Sequence, residues 1–478
     1  MKNVLKQIVC AWLAVSPFAC VFAGDLETAR TALQDRLYPI AQSHAEKVLR
    51  SSASDPAESV AALLIVLESL SLQGKPAEML NTLDAHDGVV RLAPAPETFV
   101  YWRAQALLSA GRFAEAVRIA ETAESAASST YIDALQRIDA RAKLALGDQA
   151  GALAVFARID KSTTNVLTRV DNALEWALAL DRAARASEAL DVLKLQASLG
   201  LQSASLNDGA LLRGRILMRS GKPTDAAAIF HQLAMNERAA EPARVQALLE
   251  MSVYTFNSGK TNEAIAFARS AYTCAKQPET RRLAGFRLGD LLASDASTID
   301  EAERLVKSLV REFPEEADSM RAQLKLADSL LQAQRPERAA SEYRIFLETY
   351  PSSALDAQVL QGRGWALFKL GRFTEASGVF LRAAELSTQE EERVECRFKQ
   401  GDALLADGRY ADAAHVYEKL AADAPNSSFG DRALFQSADS LDRAGLRAEA
   451  CARYRKVAET YPNRDVAPRA LLRLAALQ

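Results

Sequence analysis

The sequence predicts an all-α solenoid of about 11–12 helical hairpins, and three observations predict it. An alanine recurs about every 37 residues, at Ala116, Ala152, Ala189, Ala226, Ala264, Ala302, Ala339, Ala376, Ala413 and Ala450. A glycine stands five residues before many of these alanines, at Gly111, Gly147, Gly221, Gly259, Gly371, Gly408 and Gly445. Apolar residues run with helical period on both sides of that glycine: Phe398, Ala403, Leu404 and Leu405 precede Gly408, and Ala413, Ala414, Val416, Tyr417 and Leu420 follow it. No segment reads as a convincing strand.

Each hairpin follows from this pattern. The glycine releases the first helix through a left-handed turn that a Cβ would strain. Acidic residues such as Glu115, Glu263, Glu375 and Glu449 then fall in the first turn of the second helix, where they favour the dipole. The alanine lets the two helices approach closely. An aromatic four residues later (Phe156, Phe230, Tyr343, Phe380, Tyr417 or Tyr454) is expected to fill the gap toward the neighbouring unit. Gly362 and Gly364 fall inside a first helix and read as packing positions, not as a phosphate loop.

From the N-terminus, Lys2 and Lys6, the apolar run from Ile8 to Val15 and the small-x-small site Val21-Phe22-Ala23 predict a secretory signal over 1–23, with the exported chain starting at Gly24. The run is shorter than the roughly 20 residues of a bilayer span. A lipid anchor at Cys20 is the weaker reading, because Pro17 and Phe18 fit poorly ahead of a lipidated cysteine. Residues 24–93 are expected to form N-terminal capping hairpins, turning at Gly74. The stretch between Ala85 and Glu97, with Asp87, Gly88, Pro94 and Pro96, reads as a hinge. Residues 94–316 hold divergent repeats, irregular at 163–166 and 196–206. Residues 317–478 hold the most regular ones and close on a capping helix, VAPRALLRLAAL.

Tight turn, alanine, aromatic and then proline at Pro314, Pro351, Pro425 and Pro462 resemble the tetratricopeptide repeat, in units about three residues longer than the usual 34. The resemblance covers nearly the whole chain after the signal and is strongest from Gln323 onward. It implies a right-handed superhelix whose first helices line a concave groove for extended peptides or partner helices. FLETYPSS at 346–353, VAETYPN at 457–463 and the closing segment are similar to exported bacterial members of the family. Among these are the repeat domain of the Tol-Pal-associated cell-division coordinator and the outer-membrane-assembly lipoprotein. No heptad segment like that of the Tol-Pal protein precedes the repeats.

The remaining composition narrows the function classes. With 58 basic and 61 acidic residues the chain has a net charge of -3, which gives no field for holding a polyanion, so no nucleic-acid partner is expected. Arg338, Arg344, Arg372 and Arg382 fall on second helices among acidic neighbours and read as a solvated face. Cys274, Cys396 and Cys451 are widely spaced packing residues, with one disulfide among them a minority reading. His44, His86, His231 and His415 make no metal spacing, so no metal, cofactor or catalytic residue is expected.

Six residues before each turn lies the position expected near the groove: Gln105, Arg141, Leu178, Arg215, Val253, Asp290, Asp328, Trp365, Asp402 and Asp439. Its C-terminal half is acidic around one tryptophan. The candidate partner-binding residues are therefore Arg141, Arg215, Asp290, Asp328, Trp365, Asp402, Asp439 and Phe435 beside it, suited to a basic or partly apolar segment. Arg287, Lys325 and Lys399 stand three residues before three of the aspartates and could satisfy them within the helix. Asp439 is expected to be unpaired. The function expected is a non-enzymatic periplasmic scaffold or adaptor that binds envelope protein segments, with outer-membrane association compatible. The alternative is an accessory subunit of envelope polysaccharide machinery, using Tyr101, Trp102 and Trp176 as glycan platforms.

Overall fold

The computed structural model describes residues 23–51, 55–124, 129–199 and 203–478. The signal reading, with Cys20, and part of the irregularity at 196–206 lie outside the described residues. Among the described residues every regular element is a helix, and no helix is long and apolar enough to cross a membrane.

The chain divides into two compact units between Ala243 and Arg244. The first holds hairpins α1 (Ala23–Gln34)/α2 (Tyr38–Arg50), α3 (Pro56–Leu72)/α4 (Pro76–Ala85), the short α5 (Asp87–Leu92), then α6 (Glu97–Ser109)/α7 (Phe113–Glu124), α8 (Ser129–Ala145)/α9 (Gln149–Ser162), α10 (Val166–Arg182)/α11 (Ala186–Ser198) and α12 (Ala204–Arg219)/α13 (Pro223–Met235). Helix α14 (Glu241–Asn257) spans the division in sequence. The second unit continues with α15 (Thr261–Cys274), α16 (Pro278–Ala293)/α17 (Ile299–Glu312), α18 (Ala317–Gln332)/α19 (Pro336–Thr349), α20 (Asp356–Lys369)/α21 (Phe373–Leu386), α22 (Glu390–Ala406)/α23 (Tyr410–Asp423), α24 (Gly430–Arg443)/α25 (Arg447–Thr460) and a last helix, α26 (Val466–Leu477).

Within each unit most successive helices pack on one another, and first helices also touch the next first helix, as α6 on α8 and α10 on α12 in one unit and α16 on α18 and α18 on α20 in the other. Side chains on that shared face can therefore meet across hairpins.

The turns explain why the period is so regular. At Gly111 the chain is left-handed (φ 75°), the amide of Arg112 donates to the Leu107 carbonyl at 2.9 Å, and that of Gly111 donates to Leu108 at 3.2 Å. Two carbonyls left open by the helix end are thus satisfied. The same turn recurs at Gly74, Gly147, Gly221, Gly259, Gly371, Gly408 and Gly445. Where the register offers no glycine, Ala184 and Gln334 adopt the left-handed conformation themselves (φ 57° and 59°). The turn before Ala302 differs: Asp295 accepts from the Ser297 amide and hydroxyl, both at 2.8 Å, and Thr298 donates to the Leu292 carbonyl at 2.7 Å.

All ten periodic alanines are fully buried. The aromatic four residues on has a seat that the sequence reading missed. It packs on a small residue of the first helix of its own hairpin, as Phe230 on Gly214, Phe380 on Gly364 and Tyr417 on Gly401; a Cβ at Gly364 would come within 2.7 Å of the Phe380 ring. Tyr343 does reach the next hairpin, where a Cβ at Gly362 would lie 2.5 Å from its ring. Filling such a seat is overpacking, typically a cost of about 1–3 kcal/mol.

The expected hinge at 85–97 contains α5, which packs on α3 and α4. At 163–166, Thr163 donates to Asp133 at 2.5 Å and Asn165 caps α10, so this irregularity is a specified connection. Among the described residues Cys274, Cys396 and Cys451 are all free. Burial pushes the Cys396 thiol up to about 11, leaving it protonated and unreactive at neutral pH.

Candidate interaction face on the first helices

The first helices carry two different electrostatic arrangements. In the first unit, Arg141 on α8 reaches Glu175 on α10: its Nε donates at 2.8 Å and a second nitrogen completes the fork. Arg137, one turn earlier and nearly buried, donates to the same carboxylate and lies 3.7 Å from Asp171. Asp171 accepts from Ser205 on α12 at 2.5 Å. Burial alone would raise Glu175, but the two guanidiniums outweigh it and hold its carboxyl below the usual range. Of this cluster, only Arg141 was singled out from the sequence. Arg215, on α12, is half-buried, and its charge opposes the burial that raises Asp208.

In the second unit Asp290 lines a cleft of about 380 Å³ with Phe286, Arg287, Asp318, Arg321 and Lys325. Lys325 does not turn to Asp328, as intrahelical spacing suggested. It crosses from α18 to Asp290 on α16, which also lies 3.7 Å from Arg287. First helices lie side by side, so an acceptor on the preceding helix competes with one on the lysine's own helix.

Asp328 is held instead by its own hairpin: Tyr343, fifteen residues later on α19, donates its hydroxyl at 2.5 Å. Asp402 has the same partner in Tyr417 at 2.5 Å and adds Lys399 at 2.9 Å, the intrahelical pair expected from the sequence. Burial and the adjacent carboxylate push both tyrosines well above their ordinary range, so each remains a donor. Burial raises Asp328 as well, although the Tyr343 bond opposes it. Among the described residues Asp328 has no cationic partner.

Between these hairpins Trp365 takes the aspartate's place and Phe380 the tyrosine's; the rings meet edge-on at 5.9 Å. Trp365 is half-buried, with the Lys399 ammonium 4.8 Å from its ring centre. The tryptophan is thus both a packing residue and part of the exposed face.

Asp439 corrects the sequence reading. It is buried, and Arg443 donates to it at 2.9 Å while Arg473 of α26 lies 3.8 Å away. Phe435 is also buried: its ring meets Tyr454 at 5.7 Å, and the Arg469 guanidinium lies 4.7 Å over it. Arginines on α24 and α26 therefore occupy the ground where a partner was expected. The Tyr454 hydroxyl, which the fifteen-residue spacing would aim at Asp439, is buried and has no partner among the described residues. The spacing that joins Asp328 to Tyr343 and Asp402 to Tyr417 was present in the two periodic series and would have revealed these pairs.

Three of the four second-helix arginines are paired, Arg338 with Asp300 at 2.6 Å, Arg344 with Glu348 at 2.7 Å and Arg372 with Glu375 at 2.6 Å, and Arg382 is exposed. Of the aromatic platform candidates, Trp102 is buried edge-on against half-buried Tyr101 at 5.5 Å, and Trp176 packs half-buried on the core around α10.

Two models of the tetratricopeptide repeat match this chain, one over residues 211–278, 287–354, 324–391 and 362–428, the other over 432–464. They leave out only 279–286 and 429–431 between 211 and 464, and together span half of the chain. Among solved structures, the crystal structure of the APC/C hetero-tetramer Cut9-Hcn1 is similar at 15% identity and a TM-score of 0.38, covering 98% of this chain and 99% of that one. No curated protein matches. Matched over half its length, the chain belongs to the tetratricopeptide-repeat family, whose stacked hairpins serve as scaffolds for protein–protein interaction.

Proposed function

We propose that the protein is an exported, non-enzymatic scaffold of the cell envelope that holds a basic or partly apolar protein segment against the first-helix face of residues 317–406. The observation that carries this reading is the register of that face. Asp328, Trp365 and Asp402 come forward once per hairpin on α18, α20 and α22, each braced from behind by an aromatic of its own second helix. Bracing fixes the carboxylates before a partner arrives, which lowers the entropic cost of binding. Asp328, without a cation of its own, is the natural seat for a partner's lysine or arginine.

Export rests on the N-terminal pattern of Lys2, Lys6, the apolar run and Val21-Phe22-Ala23. A role in envelope biogenesis or division, with outer-membrane association, rests on the likeness of the C-terminal repeats to exported bacterial members of the family. N-terminal sequencing of the protein from a periplasmic extract is expected to begin at Gly24; an intact Met1 in the cytoplasm would remove the envelope reading. Affinity capture with Asp328→Asn, Trp365→Phe and Asp402→Asn combined is expected to lose the partner while the thermal melt shows a folded chain. Unchanged capture would place binding elsewhere.

A further inference from the structure

A cleft of about 530 Å³ opens in the first unit, where the sequence reads as irregular at 196–206. Its walls are the ends of two second helices, with Leu193 and Gln196 on α11 and Ile229 and Leu233 on α13. Between them runs α12, which packs on both. Arg213 lines the cleft from α12 and stands two residues before Arg215, about 200° around the helix. The cleft is therefore on the side of α12 away from the first-helix face. Ala197, Ala204 and Ala210 leave the space open, because none carries a side chain long enough to fill it.

Two guanidiniums belong to this cleft, Arg213 and, from the connection between α13 and α14, Arg238. Among the described residues no side chain lining it is acidic, and neither arginine has an ion-pair partner. Residues 1–22, 52–54, 125–128 and 200–202 hold no aspartate or glutamate, so no carboxylate for them comes from there either. Arg137 and Arg141 of the same unit, by contrast, are both paired with Glu175. The surroundings are fixed in advance. Asn236 accepts from the Arg238 amide at 3.1 Å, the Ala239 amide donates to the Asn236 carbonyl at 2.9 Å, and buried Gln196 donates to the Val170 carbonyl at 2.7 Å. Asn207 and Gln232 add side-chain amides that have no partner among the described residues. Each such amide carries both a donor and an acceptor, which matches a peptide group; a simple anion needs donors only. Leu206 and Ile229, half-buried beside them, suit an aliphatic side chain.

We infer that this cleft binds a short acidic peptide segment of a partner protein, with an aspartate or glutamate held by Arg213 and Arg238, the backbone by Asn207 and Gln232, and an aliphatic neighbour against Leu206 and Ile229. The site is separate from the face carrying Asp328, Trp365 and Asp402, takes a ligand of opposite charge, and does not rest on that reading.

The test uses the full chain against an immobilised library of short peptides in which one position is varied at a time. Peptides with an aspartate or glutamate beside a leucine or valine are expected to bind, and their asparagine or glutamine counterparts to bind about tenfold more weakly. Arg238 is exposed on a connection, so Arg238→Ala is expected to leave the thermal melt unchanged while weakening the acidic peptides about tenfold. Arg213→Ala with Arg238→Ala is expected to weaken them about a hundredfold. Asp328→Asn, Trp365→Phe and Asp402→Asn combined are expected to leave this binding as it was, which separates the cleft from the first-helix face. No preference for acidic peptides, or a preference that survives Arg238→Ala, overturns the proposal. So does displacement of the peptide by succinate or by polygalacturonate at equal carboxylate concentration, because the ligand is then a small anion or an acidic glycan. An Arg213-dependent dimer in sedimentation overturns it too, because the occupant is then a second copy.

Discussion

Residues 129–182 and 317–423 use the same hairpin and the same helix face, but they hold the carboxylates Glu175 on the one hand and Asp328 and Asp402 on the other from opposite directions. In the first, Arg137 and Arg141 on α8 share Glu175 on α10, so the charges tie one hairpin to the next. In the second, Asp328 and Asp402 take a hydroxyl from the second helix of their own hairpin, so the polar bonds close within the unit. A cross-hairpin ion pair spends the face on cohesion of the stack. A bond from behind leaves the outer side of the carboxylate for a ligand.

The largest expected effect breaks the first arrangement. Glu175→Gln strands two largely buried guanidiniums and should destabilise the first unit by about 3 kcal/mol in urea unfolding. Asp402→Asn keeps an acceptor for Tyr417 and should cost about 1 kcal/mol. Comparable losses would mean that the two regions do not differ as described.

Next come the hydroxyls. Tyr417→Phe removes a donor to a carboxylate and should cost about 1.5–2 kcal/mol. Tyr454→Phe removes a buried hydroxyl that bonds nothing, and should be neutral or slightly stabilising. If the two substitutions cost the same, Tyr454 has a partner and the end of the array resembles its middle.

Acid should separate the regions by sign. The folded pKa of Glu175 lies below its ordinary value near 4.5, so its contribution is present above that value and is lost as pH falls through the folded pKa. The penalty of Glu175→Gln should therefore shrink in acid. Asp328 is raised above 3.8, so its folded form takes up a proton first and its ionised form weighs against folding as pH rises. Asp328→Asn should accordingly look most favourable at neutral pH and lose that advantage in acid, as read from urea midpoints at pH 7, 5 and 4.

Much of the fold was legible because its determinants are local. Turn glycine, buried alanine and the apolar period each act within one hairpin, and the register alone even marks Ala184 and Gln334 as turn residues. The face was legible as a set of positions but not as a set of bonds. Lys325 could have served Asp328 or Asp290, and only the packing of α16 on α18 decides for Asp290. Asp439 looked free because only the position three residues before it was weighed; Arg443, four residues after it on α24, was a visible intrahelical partner, and only the second cation, Arg473 on α26, lies beyond intrahelical spacing. Aspartate and tyrosine fifteen residues apart form a signal available in the sequence, once both are understood to flank the same turn.

The most direct measurement places a photoreactive side chain at Asp328, at Trp365 and, separately, at Gly378 on α21, where an added side chain meets nothing within 4 Å. Crosslinking in intact cells followed by mass spectrometry should capture the same protein segment from positions 328 and 365, and none from 378. Capture of that segment at 378 with none at 328 and 365 would contradict the assignment of binding to the first-helix face.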